Sequence, residues 1–102
     1  MHVVESNIGW AITSMKEYGR KVRRRGWRDN NEFLWYKPPV KIQSEWCKDP
    51  MLKKLAEDNG GSIDGRGTIC HYFEVFGVPT ILTGWLPTLA DLLADDWEEV
   101  GE

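Results

Sequence analysis

Apolar residues near the start of the chain recur at helical spacing. Between residues 7 and 18 they fall at every third or fourth position, which is the period of a helix that packs one face on a core. They are Ile8, Ala11, Ile12, Met15 and Tyr18. Ser6 and Asn7 precede this stripe as candidate N-caps, and Gly19 follows it as a stop signal. The pattern predicts a first helix over residues 7–18.

Two runs of strand-forming residues follow and predict a hairpin. Residues 20–25 are too charged for a helix on a small core, but with Val22 they fit a short strand whose polar side chains face water. Residues 33–36 read Phe-Leu-Trp-Tyr and stop before Pro38, which is typical of a partner strand. Residues 28–32 are then the hairpin loop.

The second half of the chain predicts another hairpin and a closing strand. Residues 68–76 are rich in β-branched and aromatic residues, and residues 77–79 read Gly-Val-Pro, which favours a turn. Residues 80–85 predict the returning strand. Residues 97–100 predict a final strand that closes the sheet.

A short helix is predicted between the second hairpin and the final strand. Thr88 and Asp91 have the spacing of a capping box, in which a hydroxyl and a carboxylate satisfy free backbone amides at a helix start. We expect Leu89, Leu92 and Leu93 to bury this helix.

The stretch from about residue 40 to residue 67 has the least regular pattern. Asp49 and Pro50 are typical of a helix start, and Asn59 followed by two glycines ends that helix. Four glycines between residues 60 and 67 predict a flexible loop.

Together these elements predict an α+β fold. We expect a small antiparallel sheet of two hairpins plus a final strand, with an N-terminal helix and short helices packed on it. At 102 residues the chain has the size of one small domain, so we expect a single domain over residues 1–102 with a long irregular insertion at about 41–67. Six Trp residues suit a small core plus shared surfaces, which favours a homo-oligomer.

Charge is distributed unevenly along the sequence. The net charge of −3 is not typical of a nucleic-acid-binding domain, whose footprint is basic. Six of the nine residues from Arg20 to Arg28 are nevertheless Lys or Arg, whereas the last twelve residues hold six acids and no base. We expect these two oppositely charged segments to attract each other.

The sequence predicts neither a metal site nor a membrane segment. Two cysteines, Cys47 and Cys70, are too few for a Cys₄ or Cys₂His₂ site, and a cytosolic pair normally stays reduced. We expect no signal peptide, and the sequence contains no run of about 18 apolar residues. We expect a cytoplasmic protein without a cofactor.

No convincing catalytic set is present. Cys70 and His71 are neighbours in a predicted strand, so their side chains point to opposite faces and do not pair directly. The loop at 60–67 lacks the Gly-Lys-Ser/Thr ending of a P-loop. The acids Asp91, Asp95 and Asp96 fit a cap and a solvated helix end, with cation binding or acid-base work as the alternative. We therefore expect no enzyme and no catalytic residue.

The segment around Trp27 is the best candidate for binding chemistry, because Arg24, Arg25 and Arg28 surround it. Guanidinium groups bind phosphate oxygens bidentately, and an indole face stacks on a base. Such a cluster suits a nucleotide that is held without reaction. The alternative is a solvated basic edge that keeps the sheet from aggregating.

Two blocks of the sequence also resemble a known family. Residues 19–27, Gly-Arg-Lys-Val-Arg-Arg-Arg-Gly-Trp, follow an amphipathic helix and look like the opening motif of the second type of Thoeris anti-defence protein, a family of small phage-encoded proteins. Residues 84–97, Gly-Trp-Leu-Pro-Thr-Leu-Ala-Asp-Leu-Leu-Ala-Asp-Asp-Trp, resemble that family's pattern of Trp, Ser/Thr, Asp-Leu/Met-Leu-Ala and Asp-Trp. The second block is the more specific match.

The resemblance implies a sponge. It implies an α+β oligomer that binds the glycocyclic ADP-ribose signals of bacterial TIR proteins and holds them unaltered, and some members also take cyclic dinucleotides at separate sites. We add Arg28 and Asn30, in the loop after the first block, to the ligand-binding candidates. The residues that match the two motifs by position are Arg24, Trp27, Trp85, Thr88, Asp91, Asp96 and Trp97.

The partners implied by the resemblance are a cyclic nucleotide signal and further copies of the chain, with a tetramer expected in the cytoplasm of the bacterial host. Two other functions stay open. One is an enzyme that degrades the same signal. The other is a basic-aromatic module that docks nucleic acid or a host protein through residues 20–28, although the acidic net charge disfavours nucleic acid.

Overall fold

The N-terminal apolar stripe folds into helix α1 (Ile8–Tyr18), as its spacing predicts, in a computed structural model that describes residues 6–27 and 31–101. Asn7 is the N-cap, and its side-chain oxygen accepts a hydrogen bond from the backbone N–H of Trp10 at 2.9 Å. Gly19 ends the helix with a φ of 64°, a left-handed conformation that glycine adopts without steric cost.

Five strands form one antiparallel sheet in the described part of the chain. The elements after α1 are β1 (Val22–Arg24), β2 (Phe33–Lys37), β3 (Val40–Gln43), a 3₁₀ turn (Ser44–Trp46), α2 (Pro50–Asp58), β4 (Ser62–Gly65), β5 (Thr68–Val75), β6 (Val78–Thr83), α3 (Leu89–Leu93) and β7 (Trp97–Glu99). The sheet order is β6-β5-β2-β1-β7, which joins two hairpins and a final strand. The predicted α+β fold is confirmed. None of the helices in residues 6–27 and 31–101 is long and apolar enough to cross a membrane.

The chain divides into two compact units. One unit takes the residues up to Lys37 and those from Thr68 onward, and it contains α1, α3 and the five-stranded sheet. The other unit is Pro38–Gly67, with α2 and the two-stranded sheet of β3 and β4.

The smaller unit is more regular than its sequence suggests. Helix α2 begins as predicted, because the Asp49 side chain accepts a hydrogen bond from the backbone N–H of Met51 at 2.9 Å. The prediction of a flexible loop across residues 60–67 is wrong, since Ser62–Gly65 forms β4. This strand carries a single large apolar side chain, and its partner β3 lies far upstream, so no local pattern reveals it.

The turn of the second hairpin lies one residue earlier than the sequence suggests. Val75 and Val78 face each other across a two-residue turn of Phe76 and Gly77, whose φ values are 51° and 81°. Positive φ at both central residues matches the right-handed twist of the flanking strands. Pro79 therefore lies inside β6 rather than in the turn.

The core lies between α1 and one face of the five-stranded sheet. Its fully buried apolar members are 0–3% exposed: Ala11, Met15, Val22, Leu34 and Trp97. Because Val22 stands opposite Leu34 in the β1–β2 register, their side chains share this face.

Two expectations about burial are wrong. Leu89, Leu92 and Leu93 are 70%, 46% and 72% exposed, and the buried side chain of α3 is that of Asp91. A five-residue helix has few inward positions, and hydrogen bonds hold the Asp91 carboxylate in this one. On β1, Arg23 is buried instead of facing water, because its guanidinium donates to nearby backbone carbonyls.

Candidate functional site

The two sequence blocks that carry the resemblance lie side by side in the sheet. Strand β1 pairs with β7, and Arg24 stands opposite Trp97. The expected attraction between the basic and the acidic segment is confirmed, so much of the basic charge is balanced within the chain. The ion pairs are Arg20–Glu99 (3.8 Å), Arg23–Glu98 (3.9 Å), Arg25–Glu98 (3.5 Å), Arg24–Asp91 (3.1 Å) and Arg24–Asp96 (2.9 Å).

Arg24 joins two carboxylates from the second block. Its Nε donates to Asp96 Oδ1 at 2.9 Å and its Nη1 donates to Asp91 Oδ1 at 3.1 Å. The Arg24 side chain is 24% exposed, so these contacts are partly shielded from water and stronger than a surface ion pair. The hydrogen bonds that Arg24 donates to Asp96 and Asp91 raise the pKa of Arg24 above its ordinary value.

Asp91 both caps α3 and binds Arg24. The backbone N–H of Thr88 donates to Asp91 Oδ2 at 2.9 Å, and the Asp91 N–H donates to Thr88 Oγ1 at 3.2 Å. The predicted capping box is confirmed. Burial opposes ionisation of the Asp91 carboxyl, but the hydrogen bonds from Thr88 and Arg24 outweigh it and lower its pKa.

Asp96 is the more accessible of the two acids. Its side chain is 31% exposed, compared with 11% for Asp91. The hydrogen bond from Arg24 lowers the pKa of Asp96, and a backbone hydrogen bond from Gly26 acts in the same direction. Both carboxylates are therefore ionised at neutral pH, and around the single Arg24 cation they leave a net negative charge.

Three indoles lie next to these charged groups. Trp97 is buried, and its Nε1–H donates to the backbone carbonyl of Asp91 at 3.2 Å. The rings of Trp27 and Trp85 meet the Trp97 ring edge-on, with centroid distances of 5.7 and 6.0 Å. Trp27 and Trp85 are both partly exposed, whereas Trp97 is fully buried.

A histidine-carboxylate pair that sequence reasoning missed adjoins Trp27. The His71 ring lies 5.6 Å from the Trp27 ring, and His71 Nε2 is 2.5 Å from Glu32 Oε2. Cys70 is buried and stands opposite Trp35 in the register, whereas His71 stands opposite Leu34 on the core face. Because Cys70 and His71 are consecutive residues of β5, their side chains lie on opposite faces of the sheet.

The structure brings five of the seven proposed ligand-binding residues into one cluster, which we call the tryptophan-carboxylate site. Arg28 and Asn30 lie outside the described residues. Within residues 6–27 and 31–101, no group of three or more His, Cys, Asp or Glu side chains is placed to hold a metal ion. The site contains Arg24, Trp27, Trp85, Thr88 and Asp91, together with Asp96 and Trp97.

An aromatic cleft lies away from this site and was not predicted. It has a volume of about 390 Å³. The rings of Phe33 and Tyr72 stack at 5.1 Å, and Lys21 Nζ lies 5.0 Å from the Phe33 centroid. Phe33, Trp35 and Tyr72 belong to the sheet face opposite Leu34. The alternation of Phe33 and Trp35 in β2 was the available signal in the sequence. The cleft is lined by Gly19, Lys21, Phe33, Trp35, Tyr72 and Ile81.

One family model accounts for nearly the whole chain. The model of the Thoeris anti-defense 2-like domain matches residues 6–100. This range includes both sequence blocks that form the tryptophan-carboxylate site, and also the smaller unit, whose residues lie between the two blocks in the sequence. A comparison with curated proteins gave no match.

Proposed function

The chain belongs to the Thoeris anti-defense 2-like family, and we propose that it fulfils this anti-defence role as a sponge, which binds a cyclic nucleotide immune signal and holds it unaltered. The candidate signal is glycocyclic ADP-ribose, with cyclic dinucleotides as a second class. The site for glycocyclic ADP-ribose is the tryptophan-carboxylate site.

The observation that carries this proposal is the pairing of half-buried indoles with ionised carboxylates. Trp27 and Trp85 are partly exposed, and indole rings suit stacking on a nucleobase, which tolerates different bases. The Asp96 side chain, which precedes Trp97 in the sequence, is 31% exposed. Carboxylates accept hydrogen bonds from hydroxyl groups, so Asp91 and Asp96 match the ribose hydroxyls of such a ligand.

The same geometry changes the role proposed for Arg24. Its guanidinium already donates to Asp91 and Asp96, so a phosphate would have to compete with two carboxylates for it. We propose that Arg24 fixes the two acids in position and contacts the ligand only secondarily. The phosphates of the ligand are then met by other cations of the assembly, with Arg28 as the candidate from the sequence.

Sequestration fits the state of the titratable groups better than cleavage does. The two acids of the site, Asp91 and Asp96, are ion-paired with Arg24 and ionised at neutral pH. Carboxylates held in this way accept hydrogen bonds but carry no proton to give to a leaving group. We therefore propose that the ligand leaves the protein chemically unchanged.

We propose that the protein acts as a homo-oligomer, with a tetramer as the expected state, in the cytoplasm of the host bacterium. An 11.8 kDa chain offers limited room for a deep pocket, and copies that share walls enclose a ligand more completely. Several large apolar side chains of the described residues are exposed, among them Leu86 at 82% and Phe76 at 102%. Surfaces of this kind are typical of self-association.

Mass spectrometry of bound material tests the proposal. Purified protein is mixed with glycocyclic ADP-ribose, filtered to remove free ligand and then heat-denatured to release what it holds. Recovery of intact ligand supports the sponge. Recovery of a cleaved product supports the enzyme instead, and absence of retained ligand favours the docking module.

A further inference from the structure

The two edges of the five-stranded sheet are protected very differently. Strand β7 is three residues long, carries Glu98 and Glu99, and is flanked by a backbone bridge between Ser6 and Asp96. Short length and charge are the usual means by which an edge strand avoids pairing with another chain. Strand β6 is six residues long and has no charged side chain. In the described part of the chain, no strand pairs with its outer side.

Strand β6 exposes apolar side chains on both faces of the sheet. Ile81 belongs to one face and Val78 and Leu82 to the other, and they are 59%, 61% and 52% exposed. Such a strand is a template for the addition of another strand. The uncharged character extends beyond β6, since all sixteen residues from 75 to 90 lack a charge.

Some backbone N–H and C=O groups of β6 point away from β5 and are available to another strand. Val75 and Val78 flank the two-residue turn, so their backbone groups form a hydrogen-bonded pair. From Pro79 onward, the backbone groups of every second residue of β6 therefore point outward. Ile81 and Thr83 thus direct an N–H and a carbonyl away from β5. Pro79 is also an outward position. Its missing N–H leaves no bond to β5 unmade but removes one donor from the outer edge, so the outward N–H groups available for pairing are those of Ile81 and Thr83.

We propose that two copies of the chain associate by antiparallel pairing of their β6 strands, which extends the sheet across both copies. A second copy is the occupant that fits, because antiparallel pairing of two identical strands forms a self-complementary two-fold contact, and the uncharged β6 edges bring no like charges of the two copies together. Residues 75–90 are the longest uncharged segment of the sequence. Ile81 also lines the aromatic cleft, so the partner's β6 borders that cleft. This inference rests on the oligomer of the proposed function, but not on the sponge.

A matched pair of charge insertions tests this interface. Ile81→Lys places two like charges near each other at the paired edges, and we expect it to weaken self-association at least about tenfold. Met51→Lys, at a position in α2 that is 63% exposed, adds the same charge elsewhere and should leave association unchanged. Sedimentation equilibrium over a concentration series measures both, and circular dichroism checks that each variant is folded.

Amide hydrogen exchange of the wild type provides a second test that does not depend on a variant. In the assembly, the outward amides of Ile81 and Thr83 should exchange more slowly at high than at low protein concentration. A monomeric wild type, an associated Ile81→Lys variant, equal effects of both substitutions, or concentration-independent exchange would each overturn the proposal. Ligand retention by wild-type protein is measured separately, so failure of the interface is distinguishable from failure of the sponge.

Discussion

Arg24 and Asp91 lie 67 positions apart in the sequence, and their side chains meet at 3.1 Å between Nη1 and Oδ1. The contact ties β1 to α3, so it joins the two sequence blocks that carry the resemblance. The same carboxylate caps α3 through Thr88. The stability of the chain and the shape of the tryptophan-carboxylate site are therefore coupled through one guanidinium.

Replacement of Arg24 should destabilise the fold much more than replacement of its neighbour Arg25. Arg24→Ala removes two charge-assisted hydrogen bonds and leaves the mostly buried Asp91 without its cation, which should cost about 2–3 kcal/mol. Arg25 is 71% exposed and its closest ion-pair distance is 3.5 Å, so Arg25→Ala should cost at most about 0.5 kcal/mol. Urea unfolding measures both free energies, and equal losses would contradict the role given to Arg24.

Stability should fall in acid because of the two carboxyls bound to Arg24. Their pKa values are lower in the folded protein than the ordinary value of 3.8, so the unfolded chain binds protons first as pH falls. The stabilisation is complete above about pH 5 and is lost as pH passes through the folded values. Unfolding free energies at pH 7 and pH 3 measure the loss. Asp96→Asn should reduce the pH dependence, whereas Asp95→Asn, at an exposed neighbour, should preserve more of it.

Substitutions at Thr88 and Asp91 distinguish the contribution of the helix cap from the contribution of the carboxylate to ligand binding. Thr88→Ala removes a cap hydroxyl and should cost about 0.5–2 kcal/mol of stability, with a smaller loss of affinity for glycocyclic ADP-ribose than Asp91→Ala causes. Asp91→Ala should lose stability and also weaken binding, because its carboxylate is proposed to accept hydrogen bonds from ribose hydroxyls. Thermal melts and calorimetric titrations of the two variants provide the comparison. Unchanged affinity in a folded Asp91→Ala protein would remove Asp91 from the site.

Features that depend on neighbouring residues could be predicted from the sequence. The N-cap at Asn7, the stop at Gly19 and the capping box of Thr88 and Asp91 each need only a few consecutive residues, and all three are present. The assembly of the site needs more than local information. The sequence suggested that opposite charges attract, but only the β1–β7 register shows that Arg24 reaches Asp91 and Asp96.

The features that the sequence failed to predict depend on contacts between residues that are far apart in the sequence. The leucines of α3 were expected inside because apolar residues usually are, but the inward position of this short helix belongs to Asp91. Strand β4 depends on pairing with β3, and the aromatic cleft depends on Phe33 meeting Tyr72 from another strand. Such contacts are decided by register, which a single sequence shows poorly.

Titration of glycocyclic ADP-ribose into purified protein and two tryptophan variants tests the central claim most directly. Trp27 lies in the tryptophan-carboxylate site, whereas Trp46 is 76% exposed in the smaller unit and serves as the matched control. The wild type and Trp46→Ala should show saturable binding of equal strength. Trp27→Ala should bind roughly five- to more than a hundredfold more weakly, since stacking of a base contributes about 1–3 kcal/mol. Absence of saturable binding to the wild type, or full-strength binding by a folded Trp27→Ala variant, would contradict the account.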